Sequence, residues 1–332
     1  MDWLRLDGKI DNFARKIKRN ISSLVLEKKI HFKWLNDLRY LPLTEAHCEV
    51  YNIIHRLCWR ELGEFPNLVN CRDFNDRIQW LKLFDQSLEI VRCSDKVLVR
   101  NYVRQRVGER YLVDLYQVCD HFSEIHFDIL PKSFVIKTNH DSGTVIIVRD
   151  KTKLNRNEVE NIIEAALIKP YGWENGEWAY SYVQPKVFVE EIINPESLTP
   201  PPDYKFHCVD GRIRWLQFIF DRGQTTKEVI VSPEGHITSI HFDHKMQHSE
   251  KFVVPDEWEK IKYIVETLAK GFKYVRVDTY CFNKKIYIGE LTFFPLMGCY
   301  KGVGQKLLGK LLDFDRTTFK TPIISLLKKK HT

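Results

Sequence analysis

The first third of the chain carries apolar side chains at the three- and four-residue spacing of amphipathic helices. After Thr44, a possible helix cap, these positions are Ala46, Val50, Ile53, Ile54, Leu57 and Cys58. The segment from Phe74 to Phe84 repeats the pattern. The spacing predicts a separate helical lobe over residues 1–92.

After residue 95 the pattern alternates between helical spacing and the two-residue period of strands. Helices are predicted at 95–107, 157–169 and 256–270, and strands at 133–137, 144–148, 186–190, 204–209, 212–220, 227–231 and 236–241. We therefore predict an α+β fold with two lobes, 93–189 and 190–315, followed by a basic tail at 316–332.

The composition is that of an ordinary globular protein, since 44% of the 332 residues are hydrophobic. The chain begins MDWLRLDGK, without the apolar core of a signal peptide, and no apolar run approaches the roughly 18 residues of a membrane span. We expect a cytoplasmic protein. Its eight cysteines include no Cys-x-x-Cys pair, which favours buried free thiols over disulfides or a zinc site.

The net charge of +7 suits a polyanionic substrate or an anionic membrane surface. Nucleic acid is not expected, because no nucleic-acid-binding motif accompanies the charge. Basic residues are densest at 15–19 and 328–330. The first group lies on an amphipathic helical pattern, which more often packs on its own domain than on a membrane. A peripheral contact with the membrane or a capsule-assembly complex stays open.

The most informative segment is YVRVDTYCFNKKIYIGELTFFP, residues 274–295, because it predicts two paired strands with one polar face. If residues 283–285 form a three-residue loop, Asp278 falls opposite Glu290 and Arg276 opposite Thr292. A two-residue loop would place the two carboxylates on opposite sides. With the three-residue loop, the opposite face holds Val275, Val277, Cys281, Tyr287, Leu291 and Phe293. That face is apolar enough to bury, so the hydrophobic pattern predicts the three-residue loop.

Two opposed carboxylates repel each other unless a cation lies nearby. Magnesium suits the pair, because it binds one or two carboxylates and completes its shell with water and phosphate oxygens. On these residues alone, a surface hairpin in which Arg276 forms salt bridges with both acids is an equally good interpretation.

Two other strands end in polar residues. FVIK ends at Lys137, which could reach a phosphate, and the next loop offers backbone amides and the Ser142 and Thr144 hydroxyls. Taken alone, that loop is more typical of an ordinary hairpin. VFVEE ends at Glu190 and Glu191, which suit either ribose hydroxyls in a cleft or a solvated strand end.

The segment DYKFHCVDGRIRW predicts a second hairpin with a two-residue turn at Asp210-Gly211. Pairing of Val209 with Arg212 would place Lys205, His207, Arg212 and Arg214 on one face. Such a cationic face suits solvent, phosphate or carboxylate groups. The histidines between 236 and 248 lack the ligands that would complete a zinc site, so a mobile loop near the substrate is expected there.

In their order along the chain, these segments resemble the ATP-grasp superfamily, and the fuller pattern resembles its TupA-like family. The resemblance covers roughly residues 70–310. It rests on Asp95-Lys96, LPKSFVIKTNHDSG, Trp178 to Tyr182, VFVEE, DYKFHCVDG, RVDTY and IYIGELTFFP. The family is associated with teichuronopeptide and other bacterial surface-polysaccharide synthesis. The resemblance implies an ATP-grasp fold with ATP between the two α+β lobes, preceded by the helical lobe.

The resemblance also implies roles for individual residues. Lys96, Lys137 and the loop with Ser142 and Gly143 would bind the phosphates of ATP, with Glu190 and Glu191 by the nucleoside. Asp278 and Glu290 would hold Mg²⁺, and Thr292 stands where many ATP-grasp sequences have a further ligand, Asn. Arg276 would meet the transferred phosphoryl group. Asp203 and Lys205 match the family's DYK. In the reaction that the resemblance implies, the face with Lys205, His207 and Arg214 could orient the carboxylate or the oxygen of the tetrahedral intermediate.

The implied reaction transfers the γ-phosphoryl group of ATP to a carboxylate, and an amine then attacks the acyl phosphate to form an amide. We expect a uronic acid of a capsular or wall glycan as the carboxylate and an amino acid or other small amine as the nucleophile. Two alternatives stay open. One is an ATP-grasp kinase that phosphorylates a sugar or glycan hydroxyl, and the other is a non-catalytic nucleotide- or glycan-binding scaffold.

Overall fold

The computed structural model describes residues 23–314 except 198, 223 and 224. The two basic segments that suggested a membrane contact lie outside the described residues. The described helices are α1 (23–37), α2 (Cys48–Leu62), α3 (Phe74–Phe84), α4 (Leu88–Ser94), α5 (Val99–Arg106), α6 (Arg156–Ile168), α7 (Trp258–Ala269) and α8 (Gln305–Leu311). None of these helices is long and apolar enough to cross a membrane.

The strands form two sheets. The small sheet has the order β1-β4-β2-β3 and is antiparallel throughout. The large sheet has the order β10-β9-β5-β6-β7-β8, with only its last pair parallel. The strands are β1 (Leu115–Cys119), β2 (Phe134–Thr138), β3 (Val145–Val148), β4 (Val187–Glu190), β5 (Asp203–Val209), β6 (Arg212–Phe220), β7 (Lys227–Val231), β8 (Gln247–His248), β9 (Tyr274–Phe282) and β10 (Lys285–Thr292).

Most predicted elements agree with the structure, and β6 and β7 begin and end at the predicted residues. The predicted strand at 236–241 is wrong, apart from an isolated bridge between Val231 and Ile237. Beyond Thr238, whose N–H donates to the Ile230 carbonyl, the chain leaves β7. The N–H of His241 donates to the Val303 carbonyl, and those of the next two residues donate to the side chain of Glu228 instead of to a neighbouring strand. Strand β1 was not predicted.

The small sheet buries one face against α6, where Ile136, Val148, Val189 and Ile163 share a hydrophobic core. Alternation along the strands turns Lys137, Phe188 and Glu190 to the other face, toward the large sheet. The small sheet therefore supplies one wall of a cleft.

The large sheet packs on α7 with one face and on α3 with part of the other. Trp258 of α7 contacts Phe206, and on the opposite face Phe74 of α3 meets His207 and Tyr274 edge-on at 6.1 and 5.8 Å between ring centroids. Helix α3 thus covers only half of this face. The half around Lys205 and Asp278 stays open to the cleft.

The amino-terminal helices share one hydrophobic core with the large sheet, from Ile30 in α1 to Phe314. The described part of the predicted helical lobe therefore has no core of its own. The residue boundaries proposed for the lobes, at 92, 189 and 315, stay predictions.

Candidate active site

A cavity of about 420 Å³ lies between the two sheets. It is lined by β2, β3 and β4 on the small-sheet side and by β5, β6, β9 and β10 on the other, with α5 at one end. Among the described residues that line it, six are lysines or arginines and five are aspartates or glutamates. Such a dense set of opposite charges in one cleft is typical of a binding site for a charged ligand.

The polar face of the β9–β10 hairpin forms as predicted, with Asp278 opposite Glu290 and Arg276 opposite Thr292. The predicted three-residue loop is wrong. The turn has two residues, Asn283 and Lys284, with φ angles of 49° and 61° that suit a tight hairpin turn.

A β-bulge at Gly289 restores the pairing that a two-residue turn alone would have lost. Ile288 pairs with Thr279 and Glu290 with Asp278, so Gly289 is the extra residue. A Cβ at Gly289 would lie 2.9 Å from Cε2 of Tyr280, which explains the need for glycine. The bulge also places Tyr287 opposite Tyr280, on the polar face instead of the predicted apolar one.

Arg276 binds both acids of the hairpin. Its Nε and Nη2 donate to Asp278 at 2.6 and 2.8 Å, and Nη2 also reaches Glu290 Oε1 at 3.3 Å and Thr292 Oγ1 at 3.1 Å. Burial opposes the charge, yet the carboxylates of Asp278 and Glu290 raise the pKa of Arg276 well above its usual value. The salt bridges expected for a surface hairpin are therefore present, but on a buried wall of the cavity.

Lys205 extends this cluster from β5, where it pairs with Asp278 of β9. Its Nζ donates to Asp278 Oδ2 and lies 3.6 Å from Asp203 Oδ1. Arg222 binds the other oxygen of Asp203. Asp203 therefore contacts two cations of the cavity and positions Lys205.

Arg214 does not join Lys205, contrary to the predicted register. The Asp210-Gly211 turn and the Val209–Arg212 pair are as expected, but a bulge follows and places Trp215 opposite His207 and Gln217 opposite Lys205. Of the residues that the structure describes, Gln217 lines the cavity and Arg214 does not.

His207 belongs to the aromatic core instead of a cationic face. Its ring stacks on Trp215 at 4.7 Å, and its Nδ1 lies 2.8 Å from the Tyr274 hydroxyl. Burial lowers the pKa of His207 well below its usual value, and Arg276 adds to the effect. A neutral, structural histidine is the consequence.

On the small-sheet wall, Lys137 binds Glu190 Oε1, and Arg100 of α5 lies 3.7 Å from Glu190 Oε2. Glu191 is not among the described lining residues, and its backbone N–H donates to the Asp114 carbonyl at 2.8 Å. Sequence reasoning missed Arg100. Its position one helical turn after Lys96 was the available signal.

Lys96 lies in the turn just before α5, and its Nζ donates to the backbone carbonyl of Asp141. The Asp141 carboxylate in turn accepts hydrogen bonds from the hydroxyls of Thr138 and Thr144, which orders the loop. Ser142 and Gly143, the latter with φ of 111°, line the cavity beside it. Burial lowers the pKa of Lys96, while the facing Glu290 and Asp141 act in the opposite direction.

The turn at Pro295–Gly298 was not predicted as part of the site, yet Leu296 and the following Tyr300 line the cavity. Leu296 and Met297 have positive φ angles of 46° and 56°, a conformation that costs about 1 kcal/mol or more per non-glycine residue. Helix α3 holds the turn. Gln79 Nε2 donates to the carbonyls of Met297 and Gly298 at 2.9 Å, and Lys82 Nζ to that of Met297 at 2.8 Å.

The oxygen donors of this wall fit Mg²⁺ together with phosphates. Within the described ranges, no group of three or more histidines, cysteines or carboxylates is arranged to hold a metal on its own. Asp278 and Glu290 form a pair, and Mg²⁺ commonly takes one or two protein carboxylates and fills its other positions with water and phosphate oxygens.

The family model described as TupA-like ATPgrasp matches residues 76–311. No match was found among curated proteins.

Similar solved structures have low sequence identity. They include D-alanine–D-alanine ligase from Bacillus anthracis complexed with ATP, with 20% identity, a TM-score of 0.38, and coverage of 61% of this chain and 56% of that chain. L-amino acid ligase from Bacillus licheniformis has 11% identity, a TM-score of 0.43, and coverage of 90% and 64%. The ATP-grasp ligase PsnB with its precursor peptide PsnA2 and AMPPNP has 12% identity, a TM-score of 0.35, and coverage of 91% and 73%. The chain thus spans little more than half of the first of these proteins.

The family match includes every lining residue of the small-sheet wall and of the β9–β10 hairpin, and it covers well over half of the chain. The α+β architecture expected from the sequence is confirmed. The chain belongs to the TupA-like ATP-grasp family.

Proposed function

We propose that this protein is an ATP-dependent carboxylate–amine ligase that forms an amide through an acyl phosphate. One observation carries the proposal: a single cavity has Lys96 and Lys137 on one wall and Arg276, Asp278 and Glu290 on the other. Cations suit nucleotide phosphates, and the acids with their arginine suit a metal and a transferred phosphoryl group. Membership of the ATP-grasp family supports the same assignment.

In this proposal ATP binds with its phosphates toward Lys96, Lys137 and the Ser142-Gly143 loop. Glu190 lies by the nucleoside and holds Lys137 toward the phosphates. We keep Glu191 in this proposal as a residue beside the nucleoside, although it lies outside the described cavity lining and its backbone N–H donates to the Asp114 carbonyl. Mg²⁺ bound by Asp278 and Glu290, with Thr292 beside them, would neutralise charge on the phosphates.

Arg276 and Lys205 lie where charge develops during the reaction. A carboxylate oxygen of the substrate attacks the γ-phosphorus, the bond to the bridging oxygen breaks, and ADP leaves. The amine nitrogen then attacks the acyl carbon, inorganic phosphate leaves, and the nitrogen loses a proton. Fixed cations at Arg276 and Lys205 stabilise the phosphoryl and acyl oxygens without having to reorient.

For the substrates we propose a uronic acid of a capsular or wall glycan and a small amine such as an amino acid. The glycan is chosen on what the sequence resemblance implies, and the cationic groups of the cavity, which suit a carboxylate, support the choice. We place the reaction in the cytoplasm, where ATP is available, with peripheral contact at the membrane as part of the same proposal.

The test is product analysis with the full chain, ATP, Mg²⁺, glucuronic and galacturonic acid and their oligomers, and a panel of amino acids. The expected result is ADP release that requires both carboxylate and amine, with an amide product in the mass spectrum. A stable phosphorylated sugar without an amine requirement would establish a kinase instead. No turnover with any mixture would support a non-catalytic scaffold and refute the ligase.

A further inference from the structure

The acidic side chains of the cavity differ in what they bind. Asp278 binds Arg276 and Lys205, Glu290 binds Arg276, Glu190 binds Lys137 and Arg100, and Asp203 binds Lys205 and Arg222. Among the acidic residues that line the cavity in the described part of the chain, Asp243 is the exception, because no lysine or arginine side chain pairs with it.

Asp243 is well placed to receive a ligand. Only 5% of the residue is exposed, and it lines the cavity. Its Oδ1 accepts the backbone N–H of Lys245 at 3.0 Å and lies 3.6 Å from His244 Nδ1. Its Oδ2 has no hydrogen-bond partner within the described part of the chain. This oxygen is reachable from the cavity, where a hydrogen-bond donor of a ligand can bind it.

Hydrogen bonds and close packing of the neighbouring backbone hold Asp243 in this position. The fully buried Glu228 accepts the backbone N–H groups of Phe242 and Asp243 at 2.5 and 2.8 Å through Oε1, and its Oε2 accepts Gln217 Nε2 at 2.7 Å. Gly302 packs on the same segment so closely that a Cβ would lie 2.0 Å from the His241 carbonyl oxygen. The carboxylate is therefore preorganised before any ligand arrives.

The neighbours of Asp243 indicate which end of the cavity it serves. Gln217, Ile219, Arg222 and Met246 line the cavity with it and come from β6 and the loops that follow β6 and β7. Among the phosphate-binding candidates, Lys96 comes from the turn before α5, and the others come from β2 and the loop between β2 and β3: Lys137, Ser142 and Gly143. Two different structural units thus supply the nucleotide side and the Asp243 side.

We propose that Asp243 binds the ammonium group of the amine substrate. This inference rests on the proposed ligase function and deepens it, because it assigns a site to the second substrate. A cationic donor completes the hydrogen bonds of Oδ2 and supplies the positive charge that the other four acids already receive from lysine or arginine side chains. The substrate class that follows is a primary amine protonated near pH 7, such as an amino acid or an amino alcohol.

The test separates amine binding from carboxylate activation. Hydroxylamine, which is uncharged at pH 7, traps an acyl phosphate as a hydroxamate, whereas glycine, L-alanine, L-glutamate, L-lysine and ethanolamine carry ammonium groups. The wild type, Asp243→Asn and the matched control Asp210→Asn are compared with both kinds of nucleophile. Asp210 is a suitable control because it lies in an exposed turn and pairs with Lys273 at 3.1 Å.

For Asp243→Asn we expect a KM for the ammonium substrate about 10- to 100-fold higher, because the substitution removes one charge-assisted hydrogen bond. Hydroxamate formation and the KM for ATP should be unchanged. Asp210→Asn should match the wild type. Thermal unfolding with ATP and Mg²⁺ verifies folding, and Asp243→Ser replaces Asp243→Asn if that variant does not fold.

Three outcomes would count against the inference. Equal losses of amide and hydroxamate would show that Asp243 acts in activation or folding instead, and an unchanged KM for the amine would remove its role. Hydroxamate formation by the wild type without turnover of any ammonium substrate would also overturn it. Absence of hydroxamate with every carboxylate would refute the ligase function itself.

Discussion

Asp278 and Glu290 face each other in the same site, but we expect their removal to affect the folded protein very differently. Asp278 is 1% exposed and accepts hydrogen bonds from Arg276 and Lys205, both of which are themselves buried. The Glu290 side chain is 38% exposed and has one contact with Arg276, at 3.3 Å.

The magnitudes follow from these contacts. Asp278→Asn removes the carboxylate that Arg276 and Lys205 both contact most closely, and removal of one partner of a buried ion pair costs about 3–5 kcal/mol of unfolding free energy. Glu290→Gln should cost no more than about 1 kcal/mol, because solvent screens an exposed pair. Both substitutions should lower Mg²⁺-dependent ADP formation at least about 100-fold, since each removes a proposed charge on the metal site.

Urea unfolding measured by fluorescence gives the stability difference, and coupled detection of ADP gives the turnover. Asp210→Asn controls for an aspartate in a surface ion pair. If Asp278→Asn unfolds within 1 kcal/mol of the wild type by this assay, the buried ion-pair network does not support the fold as we describe. If Glu290→Gln retains full Mg²⁺-dependent turnover, the metal assignment is refuted.

Three further substitutions test other parts of the site and core. Lys137→Met should raise the KM for ATP about 10- to 100-fold in initial-rate measurements, and an unchanged KM would exclude phosphate binding by this residue. Gln79→Ala should lower the unfolding free energy measured in urea by about 2 kcal/mol, for its two bonds to the turn at 295–298, and should also reduce kcat. An effect on stability alone would contradict the link to the site. Burial lowers the pKa of His55 to about 3, so the unfolded chain takes up a proton near pH 6.5 that the folded chain does not. The wild type should therefore lose about 2 kcal/mol more unfolding free energy than His55→Gln between pH 7 and pH 5, and parallel pH profiles would disprove it.

The polar face of the β9–β10 hairpin could be predicted because burial of one face is a strong constraint on register. The turn and bulge that produce this register could not be predicted. A three-residue loop and a two-residue turn with a bulge give the same pairing of Asp278 with Glu290, and the apolar pattern does not distinguish them. Gly289 was the one local signal, since glycine inside a strand often marks a bulge.

A β-bulge also decides the position of Arg214, but here it makes the predicted register wrong. The turn at Asp210-Gly211 was predictable from its residues, but the bulge beyond it carries no glycine. Regular alternation then predicts the wrong neighbours for Lys205, and Gln217 takes the position expected for Arg214. Asp243 and Tyr300 were missed because irregular segments, which have no period, bring them to the cavity.

The hydrogen bonds from α3 to the turn at Pro295–Gly298 determine where an expression fragment of this protein should begin. The family match begins at residue 76, inside α3, two residues after Phe74 packs among His207 and Tyr274. An expression fragment cut at the start of that match would lose the capping residue Asp73 and the Phe74 ring, and one cut at residue 93 would lose Gln79 and Lys82 as well. Fragments for crystallisation or ligand screening should therefore start before α2, so that the helix supporting the site folds with it.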